Sequence, residues 1–239
     1  MIQDNNRVII ALDMDDERRV MQLVDQLDPL QCRLKIGKEL FTLYGPELVR
    51  HVQAKGFDVF LDLKFHDIPN TVNKAVRAAC ALKVWMLTVH ACGGAQMLKA
   101  ARSAVEGSDH KPILVAVTVL TSMSQDDLLA LGVQRPLQEQ VLRLASLAQE
   151  CAMDGVVCSA QETESLRKLL REDFVLVTPG IRPAGDLAQD QKRVVTPGLA
   201  IRNGSNYLVI GRPITQAQRP VQKLAEINTE ISGELAGLC

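Results

Sequence analysis

Apolar residues in this chain fall into short continuous runs separated by amphipathic stretches. Arg7–Asp13, Arg33–Gly37, Val59–Lys64, Trp85–Ala91, Ile113–Leu120, Gly155–Ser159, Phe174–Thr178 and Tyr207–Ile210 are rich in Val, Ile and Leu and too short for helices. They read as strands buried on both faces, the pattern of a parallel sheet. Between them the period lengthens to that of helices, over Asp16–Leu27, Glu39–Lys55, Thr71–Leu82, Gly93–Glu106, Gln125–Leu131, Leu137–Cys151, Glu162–Arg171, Pro197–Asn203 and Val221–Leu235. Strand and helix alternate to the end, which predicts an α/β fold, a single closed (β/α)8 TIM barrel over residues 1–239 with no linker. An open doubly wound sheet is the other arrangement, but no Gly-x-Gly-x-x-Gly follows the first strand.

Polar residues gather where the strands end. Asp13 closes the first strand, Lys35 lies in the second, Asp62 and Lys64 in the third. Thr121 and Ser122 follow the fifth, Arg182 the seventh, and Gly211-Arg212 the eighth. In a closed barrel these ends converge on one mouth, where catalytic groups are found.

The stretch Val59–Thr71 is the most informative. Asp62 and Lys64 are two apart, so on a regular strand they share a face roughly 6–7 Å apart. Asp67 follows, and Pro69 ends the pattern. Buried charge is costly unless paired, so this is either a structural ion pair at a strand end or a site. With Asp13 and Lys35 the mouth would hold three carboxylates and two ammoniums. Asp clusters can hold magnesium, but the interleaved lysines favour a charge network without metal. Lys64, between carboxylates, would stay protonated and serve as a proton donor.

Gly211 and Arg212 suit an anion: glycine lets backbone N–H groups approach a phosphate, and arginine binds it bidentately. The alternative is a tight turn with a surface arginine. The polar segment Thr178–Gln191, with Gly180 and Gly185, reads as a lid or an ordinary loop, with Arg182 and Gln191 as its ligand-touching groups. Thr121 and Ser122 offer hydroxyls or cap the next helix. His51 and His110 read as solvated and His66 as a packing residue. His90 ends the fourth strand facing the mouth, with nothing to pair with it in sequence. No nucleophile motif is present.

Composition narrows the classes. The 239 residues are 47% hydrophobic and 23% charged, with a net charge of −1 and 3% aromatics. A nucleic-acid surface would need a basic stripe or stacking rings. No apolar run reaches the ~18 residues of a membrane span, and the first residues do not resemble a secretory signal. Six scattered cysteines without a Cys-x-x-Cys pair fit a reducing, cytoplasmic setting.

The segment Asp62-Leu-Lys-Phe-His-Asp-Ile-Pro-Asn-Thr71 resembles the signature of the orotidine 5′-phosphate decarboxylases, specifically the bacterial single-activity type. Ala11-Leu-Asp13, Leu34-Lys35-Ile-Gly-Lys38, Val117–Met123, Thr178-Pro-Gly-Ile-Arg182-Pro and Val209-Ile-Gly-Arg212-Pro match that family in order. The resemblance implies a cofactor-free, metal-free decarboxylation of orotidine 5′-phosphate (OMP) to UMP and CO2. Lys64 would be the general acid, and Lys35, Asp62 and Lys64 would form a charge network with Asp67 of a second subunit. Asp13 and the partner's Thr71 would reach the ribose, Thr121 and Ser122 the pyrimidine, and Arg182, Gln191, Gly211 and Arg212 the phosphate. It implies a homodimer with shared sites. The rival reading is a magnesium-dependent keto-sugar-phosphate decarboxylase on the same barrel. A nucleotide-binding module without catalysis is a further one, against which the array of Lys35, Asp62, Lys64 and Asp67 argues.

Overall fold

A computed structural model of the chain describes residues 6–183 and 195–237. Eight strands close into one barrel in chain order, every neighbouring pair parallel. They are β1 (Val8–Ala11), β2 (Arg33–Gly37), β3 (Val59–Phe65), β4 (Met86–His90), β5 (Ile113–Val117), β6 (Gly155–Val157), β7 (Val175–Pro179) and β8 (Tyr207–Ile210). The helices are α1 (Glu17–Val24), α2 (Lys38–Ala54), α3 (Pro69–Ala81), α4 (Gly94–Glu106), α5 (Gln125–Ala130), α6 (Leu137–Glu150), α7 (Thr163–Leu169), α8 (Pro197–Arg202), α9 (Arg212–Thr215) and α10 (Pro220–Gly237).

Alternation along each strand divides the core in two. Ile9, Ala11, Phe60, Met86, Val115, Val175, Val177, Tyr207 and Val209 point inward and fill the barrel. Their neighbours, such as Ile10, Leu34, Leu61, Leu87 and Leu208, point outward and pack under the helices. Each such side chain contributes about 1.5–3 kcal/mol on burial. Glycine at 155 is required by closure, because a Cβ there would lie 2.2 Å from the Val175 carbonyl oxygen.

Local signals set the helix starts. The Asp16 carboxylate accepts from the N–H groups of Arg18 and Arg19 at the start of α1, and Ser124 with Asp127 forms a capping box on α5. Thr121 and Ser122 therefore do not cap α5.

Several element boundaries differ from the periodicity. β1, β5 and β6 end two or three residues before the run read from sequence. α2 is broken at Gly45, whose φ of 59° is left-handed, ahead of Pro46, which has no N–H to continue the ladder. α9 is four residues long, too short to leave a period.

Candidate active site

A cavity of about 470 Å³ opens at the C-terminal ends of the strands. Asp13, Lys35, Asp62, Lys64, Thr121, Arg182, Gly211 and Arg212 all line it. Eight of the residues singled out from sequence thus meet at one place, contributed by β2, β3 and the segments after β1, β5, β7 and β8.

Four of them form a chain of alternating charge. Lys35 Nζ lies 3.1 Å from Asp13 Oδ1 and 3.7 Å from Asp62 Oδ2, and Lys64 Nζ donates to both Asp62 oxygens at 2.8 Å. The side chains of Lys35 and Asp62 are about nine-tenths buried, while that of Asp13 is largely exposed. Burial opposes the negative charge on Asp62. Lys35 and Lys64, with hydrogen bonds from Lys64 and Thr88, outweigh it and hold the carboxyl below its ordinary value.

Asp62 and Lys64 meet through an irregular strand rather than a regular one. Between Leu61 and Phe65 the register shifts: β3 advances four residues while β4 advances two, Leu87 to Val89. Lys64 sits in this bulge with φ 52°, a conformation that a non-glycine side chain adopts at a cost. The bulge folds Lys64 back so that its ammonium reaches Asp62.

The opposite side of the cavity is cationic and backbone-rich. Arg182 is buried after β7, donating to the Ile181 carbonyl at 2.9 Å, and its own N–H donates to Val195 O at 3.0 Å. Gly211 caps α9 and lies against β1: a Cβ there would be 3.5 Å from Ala11 Cβ and 3.7 Å from Asp13 Oδ2. A four-residue helix has little macrodipole, so this corner offers N–H groups and the Arg212 guanidinium rather than a helix field. Between the two charged sides the wall is apolar, from Phe60, Val117, Val119, Leu120, Val157, Pro179 and Val209.

Three expected residues are not in this cavity. Asp67 and Thr71 are exposed and lie outside it, because the chain leaves β3 and starts α3 at Pro69, and Asp67 Oδ1 accepts from the N–H of Ile68 at 2.6 Å. A single chain therefore brings two carboxylates, Asp13 and Asp62, to the mouth instead of three. Ser122 is exposed and does not line the cavity either. Gln191 and most of the lid segment fall outside the described residues.

Sequence reasoning missed Gln216, which reaches the cavity just beyond α9, and Thr88 beneath Asp62. Neither carries a motif. His90 does end β4 near the mouth, and it has a ring partner: His66, at 5.5 Å between centroids.

The family model of orotidine 5′-phosphate decarboxylase / HUMPS matches residues 6–227. The chain belongs to the orotidine 5′-phosphate decarboxylase / HUMPS family. Family members named orotidine 5′-phosphate decarboxylase include one from Saccharophagus degradans, 58% identical over 95% of this chain and 95% of its own length. Another, from Vibrio atlanticus, is 56% identical over 94% of this chain and 98% of its own. Among solved structures, the orotidine 5′-phosphate decarboxylase of Lactobacillus acidophilus superposes with a TM-score of 0.83 at 39% identity, covering 95% of this chain and 99% of that one. An orotidine 5′-phosphate decarboxylase from Pyrococcus horikoshii, at 22% identity and a TM-score of 0.76 over 95% of this chain and 99% of its own, shares the fold.

Proposed function

We infer that the protein decarboxylates OMP to UMP and CO2 in pyrimidine biosynthesis, and that the residues lining the barrel mouth carry the reaction within one catalytic domain. The observation that supports the residue assignment best is the row Asp13–Lys35–Asp62–Lys64, facing Arg182, Gly211 and Arg212 across an apolar-walled cavity.

Loss of CO2 from C6 of the pyrimidine leaves an sp² carbanion that the ring π system cannot delocalise. The protein must stabilise it electrostatically. Lys64 Nζ, fixed by Asp62, stabilises the charge as it develops and then delivers the proton to C6. The Asp62 carboxylate repels the substrate carboxylate, a repulsion that fades as CO2 departs and makes the smaller contribution. Lys35 holds Asp62 ionised and orients Asp13 toward the ribose. The apolar wall receives the pyrimidine, with the Thr121 hydroxyl at its edge and Ser122 nearby. Arg182, Gly211 and Arg212 hold the phosphate, with Gln191 joining them. Binding energy gained there, far from C6, offsets the cost of forcing the two carboxylates together.

The active unit we propose is a homodimer. Asp67, Ile68 and Thr71 project to solvent from the end of β3, and Ile68 is 66% exposed. A second copy would bury Ile68 and bring its Asp67 and Thr71 to this mouth, giving the charge row its third carboxylate. We place the protein in the cytoplasm, where reduced thiols such as buried Cys32 persist; burial pushes that thiol up to about 12. Among the described residues no helix is long and apolar enough to cross a membrane.

The magnesium-dependent keto-sugar-phosphate reaction is less well supported. The relatives named above carry the decarboxylase name, and both oxygens of Asp62 already accept from Lys64. The deciding experiment follows the loss of OMP absorbance with purified, chelator-treated protein. Rapid turnover is expected, and turnover that needs added magnesium would overturn the reading. Mixing Lys64→Ala with Asp67→Ala protein should restore part of the activity through hybrid dimers carrying one intact site. Mixed dimers that stay inactive would count against shared sites.

A further inference from the structure

We propose that Thr88 is a positioning residue for the decarboxylation, its hydroxyl holding both the backbone of Lys64 and the carboxylate of Asp62 in their reactive places. The proposal rests on the assignment of Lys64 and Asp62 given above.

Where β3 runs two residues longer than β4, the ladder between them is interrupted, and the Lys64 N–H loses its strand partner. A buried N–H without an acceptor is costly. Thr88 lies on β4 between the two paired positions Leu87 and Val89, opposite the gap. Its Oγ1 accepts from the Lys64 N–H at 2.8 Å and donates to Asp62 Oδ1 at 3.0 Å. Thr88 is fully buried, so water cannot stand in for it.

One hydroxyl thus uses its acceptor and donor capacity on the two groups of the proposed proton-transfer pair. The acceptor side supports the left-handed conformation of Lys64, which the local sequence alone disfavours. The donor side fixes the rotamer of Asp62 and favours its charged form. Inward-facing positions on β4 alternate Met86, Thr88 and His90, so Thr88 stands between the apolar fill and the mouth. Valine would match its shape but could do neither task. The groups facing Asp62 from neighbouring elements are Lys35 on β2, Lys64 on β3 and His90 on β4, with Asp13 beyond Lys35.

The test compares Thr88→Val with Thr88→Ser. Thr88→Val should lower kcat by about ten- to a hundred-fold, the range for losing hydrogen bonds to a charged group, with KM for OMP and affinity for UMP little changed. Its acid limb in kcat should move to higher pH, because Asp62 loses a donor that favours its charge. Thr88→Ser, which keeps the hydroxyl, should recover most of kcat. A carboxyl ¹³C titration of Asp62 in both variants gives the same comparison without turnover. If wild-type protein fails to decarboxylate OMP, the proposed function falls, while this titration still tests the link between Thr88 and Asp62. Wild-type kcat and an unmoved acid limb in Thr88→Val would overturn the proposal. So would a loss of kcat that Thr88→Ser shares and that follows the fall in Tm of each variant.

Discussion

The two ends of this barrel both bury positive charge on β2, and they do so for opposite purposes. Arg33 and Lys35 are two residues apart, point to the same interior, and are nearly equally buried. At the floor, the Arg33 guanidinium stacks 4.2 Å from the Trp85 ring and 5.4 Å from that of Tyr207, bonds Asp58 at 3.2 Å and donates to the Asn6 carbonyl. Trp85 and Tyr207 meet edge to face at 5.1 Å and close the plug. The Arg33 donors are used locally, and rings fill the space around it. At the mouth, Lys35 joins a row of side chains that borders a cavity of about 470 Å³. A buried cation therefore does not mark a site by itself. What marks it is a row of charges left facing an open space that a ligand must complete.

The comparison breaks most sharply under substitution. Lys64→Ala should reduce kcat on OMP by about 10⁴-fold or more, combining lost proton transfer with lost carbanion stabilisation, while the protein stays folded, with Lys35 still paired to Asp62. Steady-state kinetics beside a thermal melt reads both, and near wild-type turnover would remove Lys64 from the chemistry. Arg33→Ala should behave in the reverse way. It should destabilise by about 3 kcal/mol, the scale for breaking a buried charge constellation, measured by urea unfolding. Its kcat, well below its Tm, should stay within about twofold of wild type. Should Arg33→Ala cost activity at full stability, floor and mouth would be one functional unit.

Arg212→Ala sharpens the division within the mouth itself. Losing a charge-assisted, bidentate phosphate contact should raise KM for OMP by about ten- to a hundred-fold. Decarboxylation of orotidine, which lacks the phosphate, should change little. Equal losses on both substrates would place Arg212 in the chemistry rather than in the grip.

The barrel was legible because every strand is buried on both faces, so eight Val/Ile/Leu runs stand out against helical periods. The charge row was legible too, since Asp13, Lys35, Asp62 and Lys64 interrupt apolar runs that have no folding use for them. The bulge in β3 was not. It depends on how β4 pairs, and a strand pattern carries no register. Thr88 stayed hidden for the same reason: in Met86-Leu-Thr-Val-His90 a threonine looks like ordinary strand propensity. Asp67 reads as a neighbour of the mouth because it follows Lys64 closely in sequence, while Thr71 enters only through the family resemblance, as a residue of a second subunit. The turn into α3 carries them outward, which distance along the chain cannot reveal. Gln216 follows a helix of one turn, too short to announce itself.

Acid should separate the two ends again, more gently. Floor charge rests on the Arg33 guanidinium, held by Asp58 and the Trp85 ring, whereas the mouth holds His90. Burial, then the nearby His66, Lys38 and Lys64, push its pKa from 6.5 down to about 4. Its Nδ1 is buried with no hydrogen-bond partner among the described residues, and the nearby Asp62 carboxylate offsets a proton there only in part. Between pH 6.5 and about 4 the unfolded chain binds a proton at this position that the folded chain refuses. Stability therefore rises with pH across that window, is fully present above about 6.5, and is lost as the pH falls. Asp62 acts lower: its folded value is depressed, so its contribution is present above the ordinary carboxylate range and disappears only below it. Urea midpoints measured from pH 7.5 to 4 should slope downward toward acid in the wild type. They should flatten in His90→Asn, which keeps a polar side chain without the titration. An equal slope in both proteins would assign the acid sensitivity to groups other than His90, and the mouth would lose its distinction from the floor in this range.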